Sequence, residues 1–296
     1  MTAVKIPLTQ LPHQLPNMLA MATGGLRSYV PLLRGKPGRE QSQIMAPPPA
    51  ALLDAYLIWA GVDPERFGDR IPPHFAVSQM ALAMISRLTA QAPYPLLSVL
   101  NQGVRLRMNA PLPRGSRITL RGQLADASDD GYRARIHSAL RMGSAEQPDA
   151  LLIDAFAAVP LKKRPGSKKK SAAEPDYRTV GHWQAAADEG VTFFKLTGDF
   201  NPIHTLPAVA RRTRFGGCIM HGYGAFAQVF EAIRNSGVDI ADIEVRFINA
   251  LPLPSPQLAI QTAATADAEG RYALRLIDDA GTVYQVGSYI PAGGKA

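Results

Sequence analysis

Cysteine is almost missing from this chain of 296 residues. Cys218 stands alone, so no disulfide can close within the chain, and the usage fits a reducing compartment. The expected location is the cytoplasm. No run of 18 apolar residues occurs, which excludes a conventional transmembrane helix. The opening residues, Met1-Thr2-Ala3-Val4-Lys5-Ile6-Pro7, are followed by Pro12 and Pro16. That is too broken for the apolar core of a secretory leader. Standard zinc signatures are also absent: Asp199, His204 and His221 fit none of the usual ligand spacings, so no metal is expected. Acidic charge is in short supply, with 24 Asp and Glu against 32 Lys and Arg, for a net charge of +8. Such a balance favours anionic partners. However, Lys162, Lys163, Arg164, Lys168, Lys169 and Lys170 crowd into one segment without interleaved aromatics. That segment reads as a solvated linker, and nucleic acid is not an expected partner.

What is present is ordinary for a globular protein: 46% apolar and 19% charged residues. The length allows two domains with real cores. Residues 1–49 are rich in Pro and Gly and read as an extended arm, with a short helix near Leu15–Ala22. Residues 51–61 read as a helix ended by Gly61 and Pro64, and a buried helix is expected from His74 to Leu88, after Pro72-Pro73. The period then changes. Val104, Leu106 and Met108 alternate with Arg105 and Arg107, so residues 98–109 read as a strand. Residues 116–126, 132–142 and 150–159 read likewise, with a turn at Asp129-Asp130-Gly131. Residues 160–175 have almost no apolar content and mark a boundary. Beyond it a helix is expected at 220–235. Strands follow near 242–249, 256–266, 271–278 and 282–290, with a hairpin turn at Asp278-Asp279-Ala280-Gly281.

The two halves share landmarks. Arg66-Phe67-Gly68-x-x-Ile71 matches Arg214-Phe215-Gly216-x-x-Ile219, 148 residues later. Val104-Arg105-Leu106 matches Val245-Arg246-Phe247. Shared order at a near-constant spacing indicates two copies of one fold. One long helix and several antiparallel strands per copy is an α+β layout. A shift of 148 places Ala51 opposite Asp199 and Tyr56 opposite His204, so only the second copy should carry chemistry.

That chemistry centres on Thr197-Gly198-Asp199-Phe200-Asn201-Pro202-Ile203-His204. A carboxylate and an imidazole stand five residues apart with Pro202 between them, so both are expected in a tight turn that aims them at one point. A Gly-rich entry into an apolar helix follows, and the free N–H groups of a helix start can hold a developing oxyanion. His221 is expected to hold the loop. Cys218 lacks the surroundings of a nucleophile.

Gly198-Asp199-Phe200-Asn201-Pro202-Ile203-His204, followed by Phe215-Gly216-Gly217-Cys218-Ile219-Met220-His221-Gly222, resembles the MaoC-like, R-specific enoyl-CoA hydratases of the hot-dog superfamily. The close resemblance spans residues 177–290. It implies a double hot-dog: an N-terminal arm (1–49), a degenerate hot-dog (50–160) that helps shape an acyl tunnel, a basic linker (161–176) and a catalytic MaoC-like hot-dog (177–296). It also implies that Asp199 and His204 contact the catalytic water and that Gly222 supplies the oxyanion N–H. The implied activity is reversible hydration of trans-2-enoyl thioesters to R-3-hydroxyacyl thioesters, with no metal or redox cofactor. Some family members carry a serine further along the catalytic helix. This chain has Gln228-Val229-Phe230 there, and Tyr223 or Gln228 are candidates for its place. Asn201 is a candidate for orienting loop or substrate. Arg211, Arg212 and Arg214 are candidates to meet CoA phosphates or the acidic face of an acyl carrier protein. Three readings stay open beside a CoA-ester hydratase: a dehydratase acting on acyl carrier protein, an acyl-thioester-binding protein without turnover, and a thioesterase. Two copies in one chain allow a pseudo-dimeric monomer or a homodimer.

Overall fold

The computed structural model describes residue 6 and residues 8–29, 38–95, 99–162 and 174–293. Alternation decides the strands. In β5 (Ile118–Asp129) the side chains of Ile118, Leu120 and Leu124 go inward; in β6 (Arg133–Gly143) those of Ala134, Ile136, Leu140 and Met142 do so. Numbered in chain order, the remaining strands of the main sheet are β1 (Gln41–Met45), β3 (Leu100–Met108), β7 (Leu151–Pro160), β8 (Tyr177–Trp183), β9 (Ile240–Phe247), β10 (Leu258–Ala263), β11 (Tyr272–Asp278) and β12 (Val283–Pro291). They form one ten-stranded sheet in the order β1-β5-β6-β7-β3-β9-β12-β11-β10-β8. Every neighbouring pair is antiparallel. A separate pair, β2 (Arg70–Ile71) and β4 (Leu112–Pro113), lies outside it.

The repeat in the sequence meets itself at the centre of this sheet. Across the β3–β9 junction Val104 pairs with Val245, the two residues that the sequence matches. A pair of matched residues lying opposite each other marks a two-fold relation between the copies. The approach there is close: Gly103 has φ 147°, and a Cβ on it would overlap the carbonyl oxygen of Val245.

Each copy wraps a helix. In the second copy α8 (Gly222–Asn235) buries Ala225, Phe226, Val229, Phe230 and Ile233 against the sheet. In the first, the expected helix is interrupted: α3 (Pro73–Phe75) runs through a π-turn (Ala76–Met80) into α4 (Leu82–Thr89). This is the α+β arrangement expected from the residues. Among the described residues no helix is long and apolar enough to cross a membrane.

Four expectations need correction. The arm is not extended: residues Leu8–Gln14 form a 3-10 turn leading into α1 (Leu15–Tyr29), and β1 adds an edge strand to β5. Pro12 lies inside the 3-10 turn, and Pro16 sits in the first turn of α1, where a missing N–H costs nothing. Second, a constant shift of 148 fails upstream of the Arg-Phe-Gly landmark. Helix α2 (Ala50–Trp59) answers to α5 (Glu189–Thr197), each followed by a glycine with positive φ, Gly61 at 76° and Gly198 at 82°. Ala51 and Tyr56 therefore lie in the helix before the turn, not in the counterpart of the motif. The motif is an insertion between Gly198 and Arg214; the short Gly61–Arg66 connection contains no histidine. Third, β8 and α5 flank the motif without having been foreseen. Fourth, Lys163, Arg164, Lys168, Lys169 and Lys170 lie outside the described residues, so the expected basic linker is described only at its ends.

Candidate active site

Local chemistry shapes the loop. Helix α5 ends in Gly198, whose left-handed conformation closes the helix as a side chain there could not. Asp199 follows in the turn. Asn201 then caps α6 (Pro202–Thr205), its Oδ1 accepting from Ile203 N at 3.4 Å, and Pro202 takes the first helical position. His204 is thus on a one-turn helix rather than in the turn itself, because proline is excluded from helix interiors and not from their starts. A further short helix, α7 (Pro207–Ala210), leads away.

Hydrogen bonds fix both histidines. His204 Nδ1 lies 2.8 Å from the carbonyl oxygen of Ile219. A carbonyl only accepts, so Nδ1 carries the proton and Nε2 of the neutral ring offers its lone pair. His221 Nε2 donates to the carbonyl oxygen of Asp199 at 2.9 Å, which pins the loop as expected. The two rings stack at 3.8 Å. Burial lowers the pKa of His204, against the pull of Asp199, and lowers that of His221 far more. Both rings are neutral near pH 7. Burial acts the other way on Asp199 and raises its carboxyl above the usual range, partly offset by His204.

Asp199, Asn201, His204, Gly222 and Tyr223 all line one cavity of about 280 Å³. Gly222 is the first residue of α8, so its N–H has no acceptor within the helix. Its missing side chain matters, since a Cβ would overlap the ring of Phe247, itself a wall of the cavity. Tyr223 is buried, and the side chain of Asn101 lies near its hydroxyl. Asn101 comes from an irregular stretch at the start of β3 in the other copy. The sequence marked neither Asn101 nor Phe247 as a site residue. The only trace of the former is an asparagine where a strand should carry an apolar or β-branched residue. From this end the cavity runs into the N-terminal copy, to Leu82, Ile85, Ser86 and Thr89 of α4 and Met21 of α1.

The other candidates separate. Arg214 lines the cavity mouth, its guanidinium 4.9 Å over the ring of Phe215. Arg211 and Arg212 are exposed and do not line the cavity. Gln228 points away from it, its amide 3.4 Å from the carbonyl oxygen of Trp59. Of the two replacements for the family's serine, only Tyr223 is therefore in place. Burial raises the Cys218 thiol pKa, which leaves it without nucleophilic character.

A sheet that wraps a helix in each of two copies joined edge to edge is a double hot-dog. Residues 167–265, part of the linker and most of the second copy, match the model of the MaoC like domain. It is similar to the Neurospora crassa peroxisomal hydratase-dehydrogenase-epimerase, 26% identical over 149 residues, which cover 46% of this chain and 17% of that protein. The chain thus spans only a small part of that curated relative. Its fold is similar to that of HtdX of Mycobacterium tuberculosis, with 18% identity, TM-score 0.68, and coverage of 86% of this chain and 100% of that one. A MaoC-like dehydratase from Phytophthora capsici superposes with TM-score 0.64 at 16% identity, covering 88% and 97% of the two chains.

Proposed function

We propose that this chain adds water reversibly to trans-2-enoyl thioesters, giving R-3-hydroxyacyl thioesters, as a hydro-lyase without metal or redox cofactor. The observation that carries the reading is the convergence of two proton acceptors and a free helix-start N–H on one cavity. The carboxylate of Asp199 and Nε2 of His204 accept both hydrogens of one water and turn its lone pair toward the β-carbon. As the new C–O bond forms, the pair takes one of those protons and returns a proton to the α-carbon. Charge that gathers on the thioester oxygen meets the N–H of Gly222. The acyl chain extends toward Leu82, Ile85 and Met21. Of the other readings, the intact Asp/His pair disfavours a binding protein without turnover. The test is decay of the enoyl-thioester absorbance with crotonyl-CoA and a longer trans-2-enoyl-CoA. Turnover of neither, together with turnover of the same acyl groups on acyl carrier protein, would assign the carrier-protein reading instead.

The acid side of the pH profile follows from burial. Activity needs ionised Asp199, whose pKa burial raises, and neutral His204, whose pKa burial lowers. kcat/KM should therefore fall with decreasing pH, and the fall should begin above the ordinary aspartate value of about 3.9. A profile flat down to that value would remove Asp199 as the base.

Carrier recognition falls to Arg214 at the mouth, with Arg211 and Arg212 on the same loop. Arg214→Glu should raise KM for a CoA ester several-fold at low salt, and added salt should shrink the difference. An unchanged KM would exclude this loop from carrier recognition.

A further inference from the structure

The amides of Gln14 and Asn17 are buried, yet the chemistry above uses neither. Both belong to the N-terminal arm, and both point at the end of α5. The last carbonyls of a helix have no intrahelical donors. Here Gln14 Nε2 donates to Leu196 O at 3.0 Å, and Asn17 Nδ2 donates to Thr197 O at 2.7 Å. The same Nδ2 lies 2.7 Å from Gln79 O, within the π-turn of the N-terminal copy, and Gln79 Nε2 in turn donates to Gln14 Oε1 at 3.2 Å. One amide thus ties the helix of one copy to the end of α5 in the other, two residues before Asp199. The fit is close: a Cβ on Gly198 would come within 2.9 Å of Asn17 Cβ. His221 in turn holds the carbonyl of Asp199 itself. The carbonyls of residues 197 and 199 are therefore each held by a buried side chain.

We propose that Asn17 is a positioning residue for Asp199, and that α1 is by this means a working part of the active site. The inference rests on the reading of Asp199 as the base. A reacting group displaced by about 1 Å costs on the order of a hundredfold in rate, and the Thr197 carbonyl has no other side-chain donor among the described residues. The arm also meets the substrate end of the cavity, since Met21 lies one turn beyond Asn17 on α1.

The test uses the full chain with Asn17→Leu, which keeps the branched heavy-atom shape and removes both N–H donors. Leu19→Ala, on the exposed side of the same helix, is the control. Each is assayed below the onset of its own thermal unfolding. Asn17→Leu should lower kcat on crotonyl-CoA by about tenfold or more, with KM within about twofold, while Leu19→Ala behaves as wild type. Amide hydrogen exchange should quicken in residues 196–204 of Asn17→Leu and stay unchanged in β9 and β12. A kcat within twofold of wild type would overturn the proposal, and so would a lower kcat with exchange at 196–204 unchanged. If wild type turns over no enoyl thioester, the functional reading fails on its own. The exchange measurement then still decides whether Asn17 holds the loop.

Discussion

Replacing Asp199 with Asn should lower kcat on crotonyl-CoA by at least about a hundredfold, a loss of about 2.7 kcal/mol in transition-state stabilisation. The substitution is close to isosteric. The contacts that shape the loop are made by main-chain atoms: His221 to the Asp199 carbonyl, and the Asp199 N–H to Thr197 Oγ1 at 3.3 Å. An Asn Oδ1 can also still accept from Asn201 N, which now reaches Asp199 Oδ1 at 3.5 Å. What is lost is the negative charge and one proton acceptor for the water. KM should therefore move little while kcat falls, which is the signature of an interaction made in the transition state. Decay of the enoyl-thioester band measures both constants. A loss below about tenfold would mean that another group takes the proton.

Removing His74 should be the most damaging single change to stability, at about 3–5 kcal/mol. His74 Nε2 lies 2.8 Å from Glu231 Oε1, and both side chains are buried, at 0% and 2% exposure. His74 Nδ1 lies 3.1 Å from the Tyr56 hydroxyl, which is 3.2 Å from Ser78 Oγ. His74→Ala would leave Glu231 with only Arg234, at 3.7 Å, and a cavity beside Tyr56 and Phe230. Urea unfolding would read the loss. The double variant His74→Leu with Glu231→Leu should recover a large part of it, because no buried carboxylate then remains uncompensated. A single variant that loses less than about 1 kcal/mol would show that the pair is not what joins α3 to α8.

His74 stands 148 residues before Gly222, at the same helix start of the other copy. One copy spends that position on a side chain that bolts the two central helices together. The other leaves it bare, so that a backbone N–H meets the cavity. The sequence contrast is plain, yet its meaning depends on Glu231, which is 157 residues from His74.

Strands with a buried and an exposed face were legible because alternation is a property of neighbouring residues. Edge strand β8 buries only Trp183 among its seven residues, so its pattern carries no such signal. Helix α5 was hidden for another reason. Its Gly190, Val191, Thr192, Phe193 and Phe194 are indifferent or poor helix formers. Packing overrides that preference: a Cβ at Gly190 would overlap the carbonyl oxygen of His204, so the glycine lets the helix lie directly against the motif.

By itself the sequence determined the caps and turns of the motif and the type of each half, though not that His204 sits on a one-turn helix. Gly198, Asn201 and Pro202 act on their own backbone and its nearest neighbours, and alternation needs only adjacent positions. The tertiary structure alone decided that His204 faces the cavity with a bare Nε2, since the carbonyl that holds its other nitrogen belongs to Ile219. It also decided that the cavity is shared between copies, that Asn101 reaches Tyr223, and that Asn17 holds the turn before Asp199. Those contacts join residues far apart in the chain, and nothing in a short stretch of sequence encodes which distant donor will satisfy a given carbonyl.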